Sequence, residues 1–154
     1  MADMHTWYVT GLRCAGVALA FAFLLFALVH LYWAMNGRRG LRLALPYEGA
    51  RPVFQPRRGA ILLVASGSAA CSALLLLWLD VICTPFPRAA LRPVLQVAVI
   101  LLGATLLVRA VGDFRHFGFF RKRGDGPFRR MDRLIYTPFS LVAGSLIVLM
   151  ALVI

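Results

Sequence analysis

Residues 14–35 read CAGVALAFAFLLFALVHLYWAM, a run of 22 mostly apolar residues that only His30 interrupts. A helix that crosses the hydrocarbon core of a bilayer needs about 20 predominantly apolar residues. The run therefore predicts a transmembrane helix. Three further stretches of spanning length follow along the chain, at residues 60–83, 94–111 and 134–154.

The composition of the whole chain agrees with this prediction. Hydrophobic residues make up 61% of the 154 residues and charged residues 15%, and the mean hydropathy is +0.80. Soluble domains average about 45–50% apolar and about 25% charged residues, and a chain of this size has too small a core to bury the excess. A soluble enzyme, a secreted disulfide scaffold and a disordered tail are therefore excluded. The sequence predicts an all-α integral membrane four-helix bundle, up-and-down, forming one domain over residues 1–154.

The distribution of positive charge predicts the orientation of the bundle. The chain carries 17 Lys and Arg against 6 Asp and Glu. Fourteen of the basic residues lie in two connections, residues 36–59 and 109–137, and three lie on the other side. The positive-inside rule places these connections in the cytoplasm and both termini on the non-cytoplasmic side. We expect a multi-pass protein of the inner (plasma) membrane.

The partner that this charge indicates is the lipid bilayer. The basic residues stand between apolar runs, which is typical of membrane anchoring, and no nucleic acid is predicted as a partner. Anionic lipid headgroups are candidate ligands of residues 36–59 and 112–133. The sequence leaves open whether the protein forms homo- or hetero-oligomers.

Charged and aromatic residues alternate after the third apolar run, where residues 108–123 read VRAVGDFRHFGFFRKR. Arg109 and Asp113 are four apart and share one face if the helix continues that far. Because an unpaired charge near the membrane core is costly, we expect an Arg109–Asp113 ion pair, with Asp113 also facing His30 or Tyr136. The interleaved phenylalanines and basic residues are typical of a segment in the headgroup region.

Three blocks of residues carry a resemblance to a known family. They are His30-Leu31-Tyr32-Trp33-Ala34, then Gly112-Asp113-Phe114-Arg115 with Gly118-Phe119-Phe120-Arg121, and finally Asp132 with Tyr136-Thr137-Pro138. In these blocks the chain resembles a bacterial family of small four-helix membrane proteins known as domain of unknown function 3995. Asn36-Gly37 departs mildly from the Gly-Gly pair that often follows the first helix in that family. The resemblance implies a four-helix integral membrane fold and no particular activity.

In the predicted topology these blocks meet at the cytoplasmic interface. The candidate polar cluster there consists of His30, Trp33, Arg109, Asp113, Arg115, Asp132 and Tyr136. No recognisable catalytic motif occurs in the chain, which favours a non-enzymatic protein that binds a lipid-like ligand or supports a membrane partner. The alternative is a membrane-embedded enzyme that acts on an apolar or lipid substrate. His30 with Asp113 or Asp132 would then perform the acid–base chemistry.

The histidines and cysteines indicate neither a metal site nor a cofactor. The three histidines lack i, i+4 spacing and no Cys-x-x-Cys motif occurs, so neither zinc nor haem is predicted. Cys14 and Cys83 fall on the same predicted face of the membrane, and a disulfide between them is left open. Asp80 is expected to pair with one of the nearby arginines, Arg13, Arg88 or Arg92.

Small residues dominate the second apolar run, where residues 65–73 read ASGSAACSA. Small residues let helix backbones approach closely in a membrane, and Gly103 and Gly144 offer matching surfaces on other helices. The sequence therefore predicts tight packing. A narrow permeation path lined by Ser66, Ser68 and Ser72 is the alternative, and it would indicate a transporter or channel.

Overall fold

The computed structural model describes residues 2–48, 51–122 and 126–154, and the described chain is mostly helical. Within these residues four helices are long and apolar enough to cross a membrane, which confirms the predicted fold class. The elements in chain order are α1 (Ala2–Ala34), α2 (Leu41–Ala44), β1 (Tyr47–Glu48), β2 (Arg51–Pro52), α3 (Arg58–Trp78), α4 (Arg88–Val111), α5 (Pro127–Met131), a π-helical turn (Asp132–Tyr136) and α6 (Thr137–Val153). The two short strands pair with each other in an antiparallel arrangement.

The first two long helices have boundaries that differ from the predicted ones. Helix α1 begins at Ala2 rather than at residue 14, because residues 2–13 contain no proline that would stop a helix. Helix α3 ends at Trp78 instead of residue 83. Asp80 has a φ of +65°, and the N–H groups of Val81 and Ile82 both donate to the carbonyl of Leu76. This turn closes the helix before Pro85 is reached.

The third long helix starts earlier than predicted. Helix α4 begins at Arg88, directly after Pro87, so that Pro93 lies inside the helix rather than at its start. Pro93 has no N–H, and the carbonyl of Ala89 therefore lacks its regular helical donor. The helix tolerates this loss in its first two turns and continues to Val111.

The fourth span is a continuous rod, formed by α5, the π-helical turn and α6. It begins at Pro127, seven residues before the predicted start, and Thr137 lies inside it. Pro138 has no N–H, and its ring would clash with a carbonyl one regular turn earlier. The wider turn, in which the Thr137 N–H donates to the Asp132 carbonyl, accommodates this proline.

Packing joins the helices in two close pairs, α1 with α3 and α4 with α6, and the pairs meet through looser contacts of α3 with α4 and of α1 with α6. Gly103 and Gly144 lie at a close approach between α4 and α6, since a Cβ added to Gly144 would lie 2.9 Å from the Gly103 carbonyl oxygen. Of the three serines proposed to line a path, Ser72 is buried whereas Ser66 is exposed. These two serines therefore face different surroundings.

The two ends of the bundle differ in charge. We call the end formed by residues 36–48, 51–59, 109–122 and 126–137 the basic end, and the end formed by residues 79–87 the opposite end. At the opposite end the Asp80 carboxylate pairs with Arg13 and Arg88, as the sequence predicts. Cys14 and Cys83 are free, exposed thiols, so the structure forms no disulfide between them. Which end faces the cytoplasm stays a prediction from the charge distribution.

The close approach of α4 and α6 predicts an asymmetry between two glycine substitutions. Gly144→Ala forces the new methyl group against the Gly103 carbonyl oxygen and should destabilise the protein by about 1–3 kcal/mol. Gly67→Ala is the matched control, because a Cβ at Gly67 meets nothing within 4 Å. It should leave stability unchanged or raise it by up to about 1 kcal/mol, because alanine is more favourable than glycine inside a helix. Thermal unfolding in detergent measures both, and equal stabilities of the two variants would contradict the close contact.

Candidate functional site

The basic end contains a tight loop, residues 112–118, which we call the closed loop. Gly112 and Gly118 have φ values of +93° and +89°, a region that favours glycine. A Cβ on Gly112 would lie 2.0 Å from the Phe117 carbonyl oxygen, so no side chain fits there. The Phe119 N–H then donates to the carbonyl of Ala110 at 2.9 Å. This hydrogen bond joins the end of the loop to the end of α4 and closes the loop.

Asp113 holds the closed loop together from within. Its Oδ1 accepts hydrogen bonds from the backbone N–H groups of Arg115 at 2.9 Å, His116 at 2.7 Å and Phe117 at 3.1 Å. Partial burial raises the pKa of the Asp113 carboxyl, but these three bonds and the His116 side chain outweigh it, and the pKa falls from 3.8 to about 2. Asp113 is therefore an ionised cap of the loop at neutral pH.

Asp132 lies at the centre of a second set of bonds. Its side chain is completely buried, and its Oδ1 accepts a hydrogen bond from Arg109 at 2.7 Å. Its Oδ2 accepts from the guanidinium of Arg121 and from the backbone N–H of Gly118 at 3.0 Å. The Arg109 guanidinium also lies 4.8 Å from the centroid of the Phe117 ring. The buried carboxylate is thus compensated by two cations and one amide, as its desolvation requires.

The predicted Arg109–Asp113 pair is wrong. Arg109 bonds to Asp132, 23 residues further along the chain. Helix α4 ends at Val111, and the positive φ of Gly112 turns the chain away, so Asp113 does not lie on the helix face of Arg109. The expectation that Asp113 faces His30 or Tyr136 is also wrong. Its Oδ1 accepts three backbone hydrogen bonds within the closed loop, and its Oδ2 lies 3.4 Å from the Nδ1 of His116 in the same loop.

The remaining predicted residues bond to other segments. The Nδ1 of His30 lies 2.8 Å from the Phe26 carbonyl oxygen, to which it donates, since a carbonyl only accepts. The His30 ring packs edge-on against Trp33, with centroids 5.0 Å apart. Trp33 donates from Nε1 to the Arg39 carbonyl, and the Tyr136 hydroxyl donates to the Leu43 carbonyl. These bonds fix the connection between α1 and β1, and the Arg115 side chain is exposed.

Sequence reasoning missed Arg121 as a member of the site. Only 9% of its side chain is exposed, and besides Asp132 it bonds to the carbonyls of Gly118 and Arg129, each at 3.2 Å. Arg121 belongs to the block Gly118-Phe119-Phe120-Arg121, which carries part of the family resemblance and could have indicated its importance. The partner Asp132, however, lies 11 residues away across residues 123–125, which the structure does not describe.

The outer surface of the basic end is aromatic and cationic. Phe114, Phe119 and Phe120 are more than half exposed, and the rings of Phe114 and Phe120 stack with centroids 6.1 Å apart. A groove of about 420 Å³ runs along the base of the fourth span, and it is lined by Gly126, Arg129, Arg130, Arg133 and Leu134. This arrangement can bind an anion beside an apolar surface.

Within the part of the chain that the structure describes, no three His, Cys, Asp or Glu side chains are placed to hold a metal ion. Of the two carboxylates in the candidate site, Asp113 accepts hydrogen bonds from backbone N–H groups, and Asp132 accepts them from two arginines and one backbone N–H. Its geometry is therefore that of a structural frame with a basic surface.

Comparison with known proteins gives one finding. Residues 23–147 match the model of a family described as protein of unknown function (DUF3995). No curated protein and no solved structure matches the chain.

The bonds of Asp132 predict strong coupling between Asp132 and Arg109. Asp132→Asn leaves two arginines without their buried counter-charge, and breaking such a pair costs about 3–5 kcal/mol. Arg109→Gln alone should also be costly, but the double variant should lose much less than the two single losses combined. The control is Asp113→Asn with Arg109→Gln, whose losses should add, because these residues are not bonded to each other. Additive losses in the Asp132 pair, measured by thermal unfolding in detergent, would contradict the assignment.

The low pKa of Asp113 predicts a stability difference that disappears in acid. The folded carboxyl has a pKa of about 2 and the ordinary value is 3.8, so its ionised form stabilises the fold at every pH above the ordinary value. This contribution is lost as the pH falls from about 4 to about 2. The gap in melting temperature between the native protein and Asp113→Asn should be constant above about pH 5 and should shrink below it. A gap that stays constant down to pH 2 would show that the carboxylate does not cap the loop.

Proposed function

The chain belongs to the DUF3995 family of proteins of unknown function, and we propose that it is a non-enzymatic membrane protein that binds anionic phospholipid headgroups at its basic end. The proposal includes an inner-membrane location with the basic end in the cytoplasmic leaflet. The main supporting observation is that two acidic side chains of the basic end make their hydrogen bonds inside the structure. Asp113 and Asp132 are bonded inside the frame, and the arginines of the surface face outward.

The charge at the basic end supports an anionic ligand. Residues 36–59 and 109–137 contain fourteen Lys and Arg against four acidic residues. Asp113 bonds to the closed loop and Asp132 to two arginines, and even when all four carboxylates are subtracted these segments keep a surplus of ten positive charges. Each basic residue near an anionic leaflet contributes about 1 kcal/mol of attraction. The surplus therefore favours the phosphates of an anionic lipid over a zwitterionic surface.

The groove beside the fourth span supports a headgroup site of defined shape. Arg130 and Arg133 are exposed, lie three residues apart and line the groove together with Leu134. A guanidinium binds phosphate oxygens through two parallel N–H donors. Leu134 is exposed and offers an apolar surface for the glycerol backbone or acyl chain. The exposed rings of Phe114 and Phe120 suit the boundary between headgroups and acyl chains.

The acid–base alternative has weaker support. A general base works best when its pKa lies near the operating pH, whereas the pKa of Asp113 is lowered to about 2. Both oxygens of Asp132 accept bonds from arginines. His30 is bonded to the Phe26 carbonyl. We therefore do not propose an enzymatic reaction for these residues.

Lipid selectivity tests the proposal. The purified protein is equilibrated in detergent with equal amounts of phosphatidylglycerol and phosphatidylcholine, and the bound lipids are counted by native mass spectrometry. We expect a preference for phosphatidylglycerol that the double variant Arg130→Gln/Arg133→Gln reduces by about 2 kcal/mol, or about 30-fold in affinity. Arg38→Gln/Arg39→Gln is the matched control, because it removes the same charge from the basic end away from the groove and should have a smaller effect.

Four outcomes would contradict the proposal or a part of it. Equal binding of the two lipids would remove the basis for anion recognition, and chemical conversion of the bound lipid would favour the enzymatic alternative. Equal losses in the two double variants would contradict the groove as the site. A reporter fused after Ile154 that is active in the cytoplasm would contradict the orientation.

A further inference from the structure

A cavity lies at the opposite end of the bundle, between the end of α3 and the start of α4. Its volume is about 190 Å³, and its apolar lining includes Leu77, Leu91 and Leu95. An apolar cavity of about 150 Å³ holds a benzene molecule, so this one has room for several carbon atoms of a chain. Helices α3 and α4 also pack less closely than α1 with α3 or α4 with α6. The seam between them therefore offers space for an acyl chain.

The polar side of this cavity has a net positive charge. Asp80 and Arg88 both line it, and the Asp80 carboxylate pairs with the guanidinium groups of Arg88 and Arg13. One carboxylate between two guanidinium groups leaves an excess of one positive charge. The Arg88 side chain is 53% exposed, and a guanidinium carries five N–H donors, more than one carboxylate uses. Arg88 thus has donors for a second anion.

The local backbone keeps this arrangement in place. Asp80 follows the end of α3 with a φ of +65°, and the N–H of Val81 donates to the Leu76 carbonyl at 2.9 Å. This turn directs the Asp80 carboxylate to Arg88 at the start of α4. Asp80 is accordingly a positioning residue that holds Arg88 at the cavity.

We propose that this cavity binds a single-chain amphiphile with an anionic head, such as a long-chain fatty acid. The head accepts hydrogen bonds from Arg88, and the first part of the chain lies among Leu77, Leu91 and Leu95. The charge complementarity at Arg88 selects an anionic head, and the apolar lining selects a chain. This site is at the other end of the bundle from the headgroup groove, so the inference goes beyond the proposed function and does not rest on it.

The chain contains its own reporters for this site. Cys83 lines the cavity and its thiol is exposed. Cys14 is also exposed, but it is not part of the cavity lining. Alkylation of both thiols by N-ethylmaleimide is followed by peptide mass spectrometry in the same sample, with the full chain in phosphatidylcholine nanodiscs. A ligand in the cavity blocks Cys83 and leaves Cys14 reactive.

Oleate is the probe. At about ten times its Kd we expect it to slow alkylation of Cys83 about tenfold by mass action, with little effect on Cys14. Oleyl alcohol, which has the same chain and no charge, should protect Cys83 much less. Arg88→Gln should abolish the protection by oleate, whereas Arg13→Gln should reduce it only in part, because Arg13 adds to the positive charge around Asp80 but does not line the cavity. Lysophosphatidylglycerol distinguishes a free fatty acid from a lysolipid as the source of the anionic head, and protection by either one supports the site.

Several results would overturn the inference. If oleate slows Cys14 and Cys83 equally, it acts by entering the bilayer. If oleyl alcohol protects as well as oleate, or if Arg88→Gln is protected like the native chain, the anionic head is not recognised. If neither oleate nor lysophosphatidylglycerol protects Cys83, the cavity is not a site for such a ligand. Each of these outcomes is independent of the preference for phosphatidylglycerol at the basic end.

Discussion

The carboxylate of Asp132 is completely buried where the fourth span enters the bundle, and a buried ion costs several kcal/mol unless charges and hydrogen bonds compensate it. The compensation comes from three separate segments. Arg109 reaches it from the end of α4, Gly118 from the closed loop and Arg121 from the chain that follows. Because one carboxylate needs all three partners, it fixes the position of the loop relative to both helices.

The π-helical turn belongs to the same constraint. Asp132 opens this turn, and the Thr137 N–H donates to its carbonyl. The backbone carbonyl of Asp132 therefore stabilises the fourth span, while its side-chain carboxylate binds the closed loop. Pro138 makes a regular helical turn unfavourable here. The wider turn keeps the rod continuous across the proline, and α6 can then meet α4 at Gly103 and Gly144.

The sequence predicts the four spans well, because a bilayer imposes a length and a composition that any chain must meet locally. It does not predict where the helices end, since a single residue such as Asp80 in a left-handed conformation stops α3 before its prolines. The pairing of Arg109 failed for a related reason. Spacing along a helix indicates a partner only while the helix continues, and Gly112 ends it one residue before Asp113. Hydrogen bonds between residues on either side of a connection, such as that from Arg121 to Asp132, follow no regular spacing in the sequence and cannot be predicted from it.

The blocks that carry the family resemblance have a shared physical role. Gly112 and Gly118 allow the backbone to close, Asp113 caps the loop, and Arg121 and Asp132 compensate each other. These residues build a frame, and a frame does not specify a ligand. The groove arginines and the cavity beside Arg88 lie outside those blocks. Binding specificity can therefore change in these surface positions while the loop, the buried ion pairs and the four spans stay the same.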